Sequence, residues 1–214
     1  MFDFDGTLVD SSTLHAWAFR ETLAAIAPGC LAAFDYEPLK GLSTRTAFAK
    51  LGIADSGELD RCTARKQELY RDAIKAGRLK EYAGAGALLH TVLERCGNNF
   101  LVTSGSLESV NLALDQLDLR DFFSGIITAD DATLGKPSPE PYLVCLRRFR
   151  LPPAAALAVE DADSGVAAAK GAGLRVIGVH NSSIADIVDI YFPSLVALGT
   201  ALRERDQRLC CDTA

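Results

Sequence analysis

The chain has 214 residues and a formal net charge of −6; 49% of its residues are hydrophobic and 23% are charged. This composition is typical of a globular protein that buries one core and has room for a small second unit. The acidic balance, without a basic stripe, argues against a nucleic-acid partner, and no apolar run reaches the ~20 residues of a membrane span. The six cysteines show no metal-type spacing, so we expect reduced thiols and a cytoplasmic location. We also expect a monomer or weak dimer.

The chain opens with an apolar segment that carries two acids, in the run MFDFDGT at residues 1–7. Side chains two apart on a strand share a face, so Asp3 and Asp5 are expected to project together from the carboxyl end of a strand of about five residues. Gly6 can then turn the chain at positive φ. Two close carboxylates repel each other, and Mg²⁺ is the usual cation that offsets this; two solvated acids at a strand end are the alternative.

Residues 11 to about 80 predict helices with no strand between them. Serine and threonine caps and the breakers Pro28, Gly52 and Gly77 divide this block into three helices. They are predicted from Ser12 to the Pro28 break, from about residue 43 to Gly52, and over about 58–74.

From about residue 82 onward, short apolar strands alternate with helices. The predicted strands are 100–103, 125–128, 155–159 and 174–179, and the helices between them are 84–96, 107–117, 139–149 and 164–172. This alternation predicts βαβ units and a parallel sheet covered by helices on both faces. The predicted fold class is α/β, with a Rossmann-like core of residues 1–10 and 82–214 and an all-helical insertion of residues 11–81.

Polar residues follow the predicted strands at their carboxyl ends, where open α/β sheets bind ligands. Thr103 and Ser104 offer a hydroxyl and backbone amides as an anion cradle, although Thr103 taken alone could equally be a helix cap. Lys136 lies between Gly135 and Pro137, which favours a fixed cation over a solvated surface lysine. Glu160-Asp161 forms a second acidic pair.

Four motifs in this order resemble those of the haloacid dehalogenase-like hydrolase superfamily, and more closely its β-phosphoglucomutase and phosphoglycolate phosphatase-like branch. The resemblance spans nearly the whole chain and rests on DFDGT at 3–7, TSGS at 103–106, KPSPEPY at 136–142 and ED at 160–161. In that branch, an insertion after the first motif is a helical cap that closes over the active site. The resemblance therefore implies that residues 11–81 form a cap domain.

The resemblance also implies catalytic roles. Asp3 is the nucleophile that forms a phosphoaspartate, and Asp5 is the general acid and base. Thr103 and the Ser104 amide bind the phosphate, and Lys136 neutralises its charge.

The implied Mg²⁺ site consists of Asp3, the backbone carbonyl of Asp5, Asp161, and Glu160 directly or through water. Many relatives have Ser where this chain has Ala162. We interpret Asp163 as the cap of the next helix.

In the cap, the loop KGLSTR at 40–45 resembles the substrate loop of β-phosphoglucomutase-like proteins. The candidate substrate-binding residues are Ser104 in the core and Lys40, Gly41, Arg45 and His15 in the cap. Counted from Asp3, the arginine of the mutase loop falls at Thr44, which argues against true mutase activity. For His15, and for Lys66 in a second mutase-like segment, a locally bonded helix residue is the alternative.

The leading hypothesis is a Mg²⁺-dependent phosphatase of small phosphorylated metabolites, either sugar phosphates or phosphoglycolate-like acids. The alternative is a β-phosphoglucomutase-type isomerase that returns the phosphoryl group to a sugar. A non-catalytic binding protein on the same fold is a third, more distant reading. His90 and His180 receive no role.

Overall fold

The structure, a computed structural model, describes residues 1–211, and side chains for residues 1–204. In chain order, the strands are β1 (Val9–Asp10), β2 (Lys80–Glu81), β3 (Phe100–Val102), β4 (Gly125–Ile127), β5 (Leu157–Glu160), β6 (Arg175–Val179) and β7 (Ile190–Phe192). The helices are α1 (Ser12–Ile26), α2 (Thr44–Lys50), α3 (Ser56–Lys75), α4 (Ala85–Cys96), α5 (Leu107–Gln116), α6 (Glu140–Arg148), α7 (Asp163–Gly171) and α8 (Leu195–Cys211).

The predicted α/β class with a parallel sheet is confirmed. Strand β3 pairs with β4, and β5 pairs with β6, which pairs with β7, all in parallel. Phe2 joins the two groups through parallel bridges to Leu101 and Val159. The order across the sheet is therefore β4, β3, the opening segment, β5, β6, β7.

The opening segment is shorter as a strand than the sequence predicts. Its parallel pairing with β3 and β5 is confined to Phe2, whose amide donates to the carbonyl of Phe100 at 2.7 Å. Beyond Asp3 the chain curls, because the Phe4 carbonyl accepts from the amides of Leu8 and Val9. Gly6 permits this turn with a φ of 85°. The turn begins where the strand was expected to continue, and it brings the first acids to the edge of the sheet.

A two-stranded antiparallel ribbon, which the sequence did not predict, joins the two ends of the helical insertion. In it Val9 pairs with Glu81 and Asp10 with Lys80. Helices α1, α2 and α3 all lie between these two strands. The boundaries 1–10, 11–81 and 82–214 stay a prediction, and residues 212–214 lie outside the described part of the chain.

Apolar packing follows this division only in part, because one cluster joins Leu14, Tyr70 and Ile74 of the insertion to the core. Two clusters of buried side chains lie against the sheet, one centred on Leu101 and Leu114 and the other on Tyr142 and Val176. A third cluster, drawn from residues 19–62, contains Phe48 and supports the helical insertion. Among the described residues, none of the helices combines the length and the apolar composition of a membrane span.

Candidate active site

A buried lysine lies between two carboxylates at the carboxyl edge of the sheet. Nζ of Lys136 is 2.6 Å from Oδ1 of Asp3 and 2.6 Å from Oε1 of Glu160, and it donates to the carbonyl of Val102 at 3.0 Å. The Tyr142 hydroxyl donates to the same Glu160 oxygen at 2.5 Å. Burial lowers the pKa of Lys136, but Asp3 and Glu160 outweigh this and raise it above its ordinary value. Lys136 is therefore a permanent cation beside Asp3.

Three buried acids lie around this point. Asp3, Glu160 and Asp161 each offer a carboxylate oxygen within 4.8 Å of the others. Burial raises the pKa of Asp3 well above its ordinary value, with Lys136 opposing and the neighbouring acids adding. Burial and Glu160 raise the pKa of Asp161 to about 7. One lysine does not offset three buried carboxylates, so this all-oxygen donor set fits a hard divalent cation such as Mg²⁺.

Gly6 and Thr7 bring the first motif against the fourth. A Cβ added to Gly6 would lie 2.2 Å from Oδ2 of Asp161, so only glycine permits this approach. The Thr7 hydroxyl donates to Oδ1 of Asp161 at 3.0 Å.

Asp163 is not the cap of the following helix as predicted. Helix α7 begins at Asp163 itself, and Ala162 occupies the N-cap with extended backbone angles.

Asp5 is turned away from the acidic cluster and towards the helical insertion. Its Oδ1 accepts from Nε2 of His15 at 2.9 Å and from the Tyr70 hydroxyl at 2.9 Å. Nζ of Lys66 lies 2.7 Å from Nδ1 of His15, so the cation donates to one ring nitrogen and the other donates to Asp5. The sequence had selected His15 and had weighed Lys66, but it had not selected Tyr70.

The pKa directions agree with this chain of contacts. Burial alone would raise the pKa of Asp5, but His15 and Tyr70 outweigh it and hold this pKa below its ordinary value. Burial and Lys66 lower the pKa of His15, which favours the neutral imidazole. Burial lowers the pKa of Lys66 to about 8, so it is still mostly protonated at pH 7. The result is an ionised Asp5 that is bonded to a neutral imidazole.

The second motif borders a cavity that residues of the first motif and of the insertion also line. Asp3, Asp5, His15, Thr103 and Ser104 all line it, and its volume is about 50 Å³. The Thr103 hydroxyl accepts from the Gly105 amide at 3.0 Å, which fixes the turn after β3. Four predicted site residues therefore line the same cavity as the candidate nucleophile Asp3; they are Asp5, His15, Thr103 and Ser104.

The cap loop is only partly brought to the cavity. Gly41 and Thr44 line it, whereas the Lys40 ammonium pairs with Glu37 at 2.9 Å and Arg45 pairs with Asp60. The Lys40 and Arg45 side chains are therefore not among the residues that line the cavity beside Asp3. Their substrate-binding roles stay predictions.

His180, to which the sequence gave no role, lies at the base of the insertion. Its Nε2 is 3.2 Å from the carbonyl of Thr7, and its ring stacks on Tyr82 with centroids 3.9 Å apart. The next residue, Asn181, donates to the carbonyl of Asp161 at 3.0 Å. The contact with Thr7 joins positions 173 residues apart, so no local pattern could have revealed it.

Residues 1–179 match the family model described as haloacid dehalogenase-like hydrolase. The chain is 32% identical to Protein CbbY of Rhodobacter capsulatus, over 83% of this chain and 82% of that protein. It is 30% identical to the phosphorylated carbohydrates phosphatase of Thermotoga maritima, over 85% of each. The structure of CbbY from Rhodobacter sphaeroides with xylulose-(1,5)bisphosphate aligns with a TM-score of 0.78 and 27% identity, over 92% of this chain and 94% of that one. The chain therefore belongs to the haloacid dehalogenase-like hydrolase family, and it is an enzyme of the phosphoric monoester hydrolase class.

Proposed function

We propose that this enzyme is a Mg²⁺-dependent phosphatase of small sugar phosphates or phosphoglycolate-like acids, and that it works through a phosphoaspartate on Asp3. The observation that carries the proposal is the buried contact of Lys136 with Asp3, beside Glu160 and Asp161 and at the edge of the Thr103 cavity. A nucleophile that lines the cavity, a fixed cation in contact with it and an oxygen-rich metal site beside it meet the main needs of phosphoryl transfer, which are positioning and charge neutralisation.

In the first step, a carboxylate oxygen of Asp3 attacks phosphorus while the bond to the leaving alcohol breaks. Thr103 and the Ser104 amide hold the non-reacting oxygens, and Lys136 offsets their charge. The leaving oxygen takes a proton from Asp5. Asp5 is ionised before substrate binds; the negative charge of the phosphate raises its pKa, so that Asp5 takes up a proton from solvent and passes it to the leaving oxygen.

In the second step, Asp5 is again a carboxylate and accepts a proton from the attacking water. Water attacks phosphorus, the bond to Asp3 breaks, and inorganic phosphate leaves. The contacts of Asp5 with His15 and Tyr70 favour the ionised form that this step needs. Closure of the insertion over the cavity limits access of other waters.

The Mg²⁺ site would use Asp3, Asp161 and the backbone carbonyl of Asp5, with Glu160 bound directly or through water. When bound, the ion supplies charge neutralisation and orientation of the phosphate oxygens. The raised pKa of Asp161, about 7, supports this assignment because a cation would relieve the repulsion that causes it.

The cavity lining favours hydrolysis over mutase chemistry. Among the described residues that line it, Lys66 is the only lysine or arginine, and it is engaged with His15. Thr44 lines the cavity where the mutase has an arginine, and Arg45 is paired with Asp60. A substrate with one phosphate and a neutral, hydroxylated remainder suits this surface better than a bisphosphate. The name of the Thermotoga maritima relative supports a phosphorylated carbohydrate as the substrate.

The test is phosphate release from a panel of phosphosugars, phosphoglycolate and a sugar bisphosphate, with Mg²⁺ and with EDTA. We expect turnover of at least one monophosphate with Mg²⁺ and loss of turnover with EDTA. The nearly isosteric Asp3→Asn variant should be inactive and fold normally by circular dichroism. Full activity of that variant would rule out Asp3 as the nucleophile. Isomerisation that requires a bisphosphate and releases no phosphate would establish the mutase instead.

Location and assembly stay predictions. The four cysteines with described side chains, Cys30, Cys62, Cys96 and Cys145, are free thiols, which suits a reducing compartment such as the cytoplasm. The prediction for Cys210 and Cys211 falls outside the described side chains. A monomer or weak dimer is expected in sedimentation experiments.

A further inference from the structure

We propose that Ser104 and Ser164 are positioning residues that hold the cap loop of residues 39–42 shut over the catalytic cavity. The inference rests on the proposed function, because it concerns the same cavity. It assigns to the two serine side chains a role separate from phosphate binding, which uses the backbone amide of Ser104.

Two hydroxyls from the core reach two consecutive carbonyls of the cap loop. Ser104 Oγ donates to the carbonyl of Gly41 at 2.7 Å, and Ser164 Oγ donates to the carbonyl of Lys40 at 3.0 Å. Ser104 follows β3, and Ser164 lies in the first turn of α7, which follows β5. The loop is therefore held from two sides of the sheet edge that carries Asp3.

Gly41 makes this double contact possible. Its φ is 74°, which is in the left-handed region, and a Cβ at this position would lie 2.2 Å from Ser164 Oγ. A side chain here would force the Ser164 hydroxyl to rotate away from Lys40. The loop backbone thus approaches the core closely only because residue 41 has no side chain.

The closed loop must open in each catalytic cycle. Leu39 and Leu42 of this loop line the cavity, whose volume of about 50 Å³ is far below the ~300–1,000 Å³ of sites that enclose small-molecule ligands. Substrate therefore enters after the loop moves. A neutral hydrogen bond shifts such an equilibrium by about 2- to 12-fold. Two of them favour the closed loop strongly and still allow it to open.

The experiment compares Ser104→Ala, Ser164→Ala and the double variant with the wild type. The alanine at position 104 keeps the backbone amide, so phosphate binding through that group is retained. Ser183→Ala is the matched control, since it removes an exposed serine hydroxyl that bonds only within its own turn, to Asn181. Three quantities are measured: hydrogen exchange of the peptide covering residues 36–44, inhibition by orthovanadate, and kcat/KM with its KM and kcat components.

Each single variant should increase exchange of the 36–44 peptide by about 2- to 12-fold, and the double variant by about the product, with the melting temperature little changed. The inhibition constant of orthovanadate and 1/(kcat/KM) should rise by similar factors, because both depend on the closed loop. The control should leave all three quantities unchanged. A purely structural role elsewhere would not concentrate faster exchange in this peptide.

A second arm uses Gly41→Ala. In the wild-type background it should increase exchange of the same peptide more than it does in the Ser164→Ala background, where the hydroxyl that it would displace is absent. Unchanged exchange in the double serine variant would overturn the inference even if the enzyme is an active phosphatase. If the wild type hydrolyses no phosphomonoester, the proposed function fails, while the exchange data still decide whether the serines hold the loop.

Discussion

Replacement of Lys136 by methionine tests the charge balance of the site. The Lys136 side chain is 1% exposed and pairs with Asp3 and Glu160 at 2.6 Å each. Methionine has a similar length and no charge, so the change leaves two buried carboxylates without their cation. Breaking a buried pair in this way costs about 3–5 kcal/mol of unfolding free energy. For the metal-free Lys136→Met variant at pH 8, we therefore expect the free energy of unfolding to fall by this amount.

The pH dependence has a definite sign. Lys136 lowers the pKa of Asp3 against the effect of burial, so its removal raises this pKa further. Protonation of Asp3 relieves the repulsion, and the loss of stability should therefore shrink as the pH falls. Turnover should fall by at least ~10²-fold at all pH values, because a fixed positive group beside the reacting phosphate is missing.

Two further variants distinguish the effect of Lys136 on stability from its effect on catalysis. The double variant Lys136→Met/Glu160→Gln removes one of the unpaired charges, so it should regain part of the stability and none of the activity. Lys170→Met, at an exposed helix position, should stay within about 0.5 kcal/mol of the wild type. The assays are urea unfolding followed by circular dichroism, and phosphate release. A loss below about 1 kcal/mol for Lys136→Met, or recovery of turnover in the double variant, would refute this account of the site.

Two other substitutions test the acid–base residue and the close approach of the loops. Tyr70→Phe removes a hydrogen bond that lowers the pKa of Asp5. The acid limb of the pH profile for phosphoaspartate hydrolysis, the step in which Asp5 is the base, should therefore move up by about one pH unit, and its staying in place would argue against that role. Gly6→Ala places a Cβ 2.2 Å from a carboxylate oxygen of Asp161 and should weaken Mg²⁺ binding in calorimetry by tenfold or more. Gly52→Ala is the control, because Gly52 also has a positive φ, of 95°, but an added Cβ there would meet no atom within 4 Å. Equal losses of Mg²⁺ affinity in both variants would show that the contact between residue 6 and Asp161 does not matter.

Much of the core could be predicted because its signals are local. Helices and buried strands have periodicities of 3.6 and 2, and the observed bounds of α4 to α7 and β3 to β6 differ from the expected ones by one or two residues. The short ribbon β1–β2 and the single-residue pairing of the opening segment gave no such signal. Two-residue strands are too short to show a period, and their pairing partner is about 70 residues away.

The sequence by itself determined which chemistry the chain carries, because acids, hydroxyls and a lysine placed directly after parallel strands must meet at one edge of the sheet. Only the tertiary structure decided how those groups are paired. It placed Lys136 between Asp3 and Glu160, turned Asp5 to His15 and Tyr70, and directed the Lys40 and Arg45 side chains to other partners. The physical reason is that burial and charge pairing depend on separations in space, and these contacts join residues that are up to 133 positions apart in the chain.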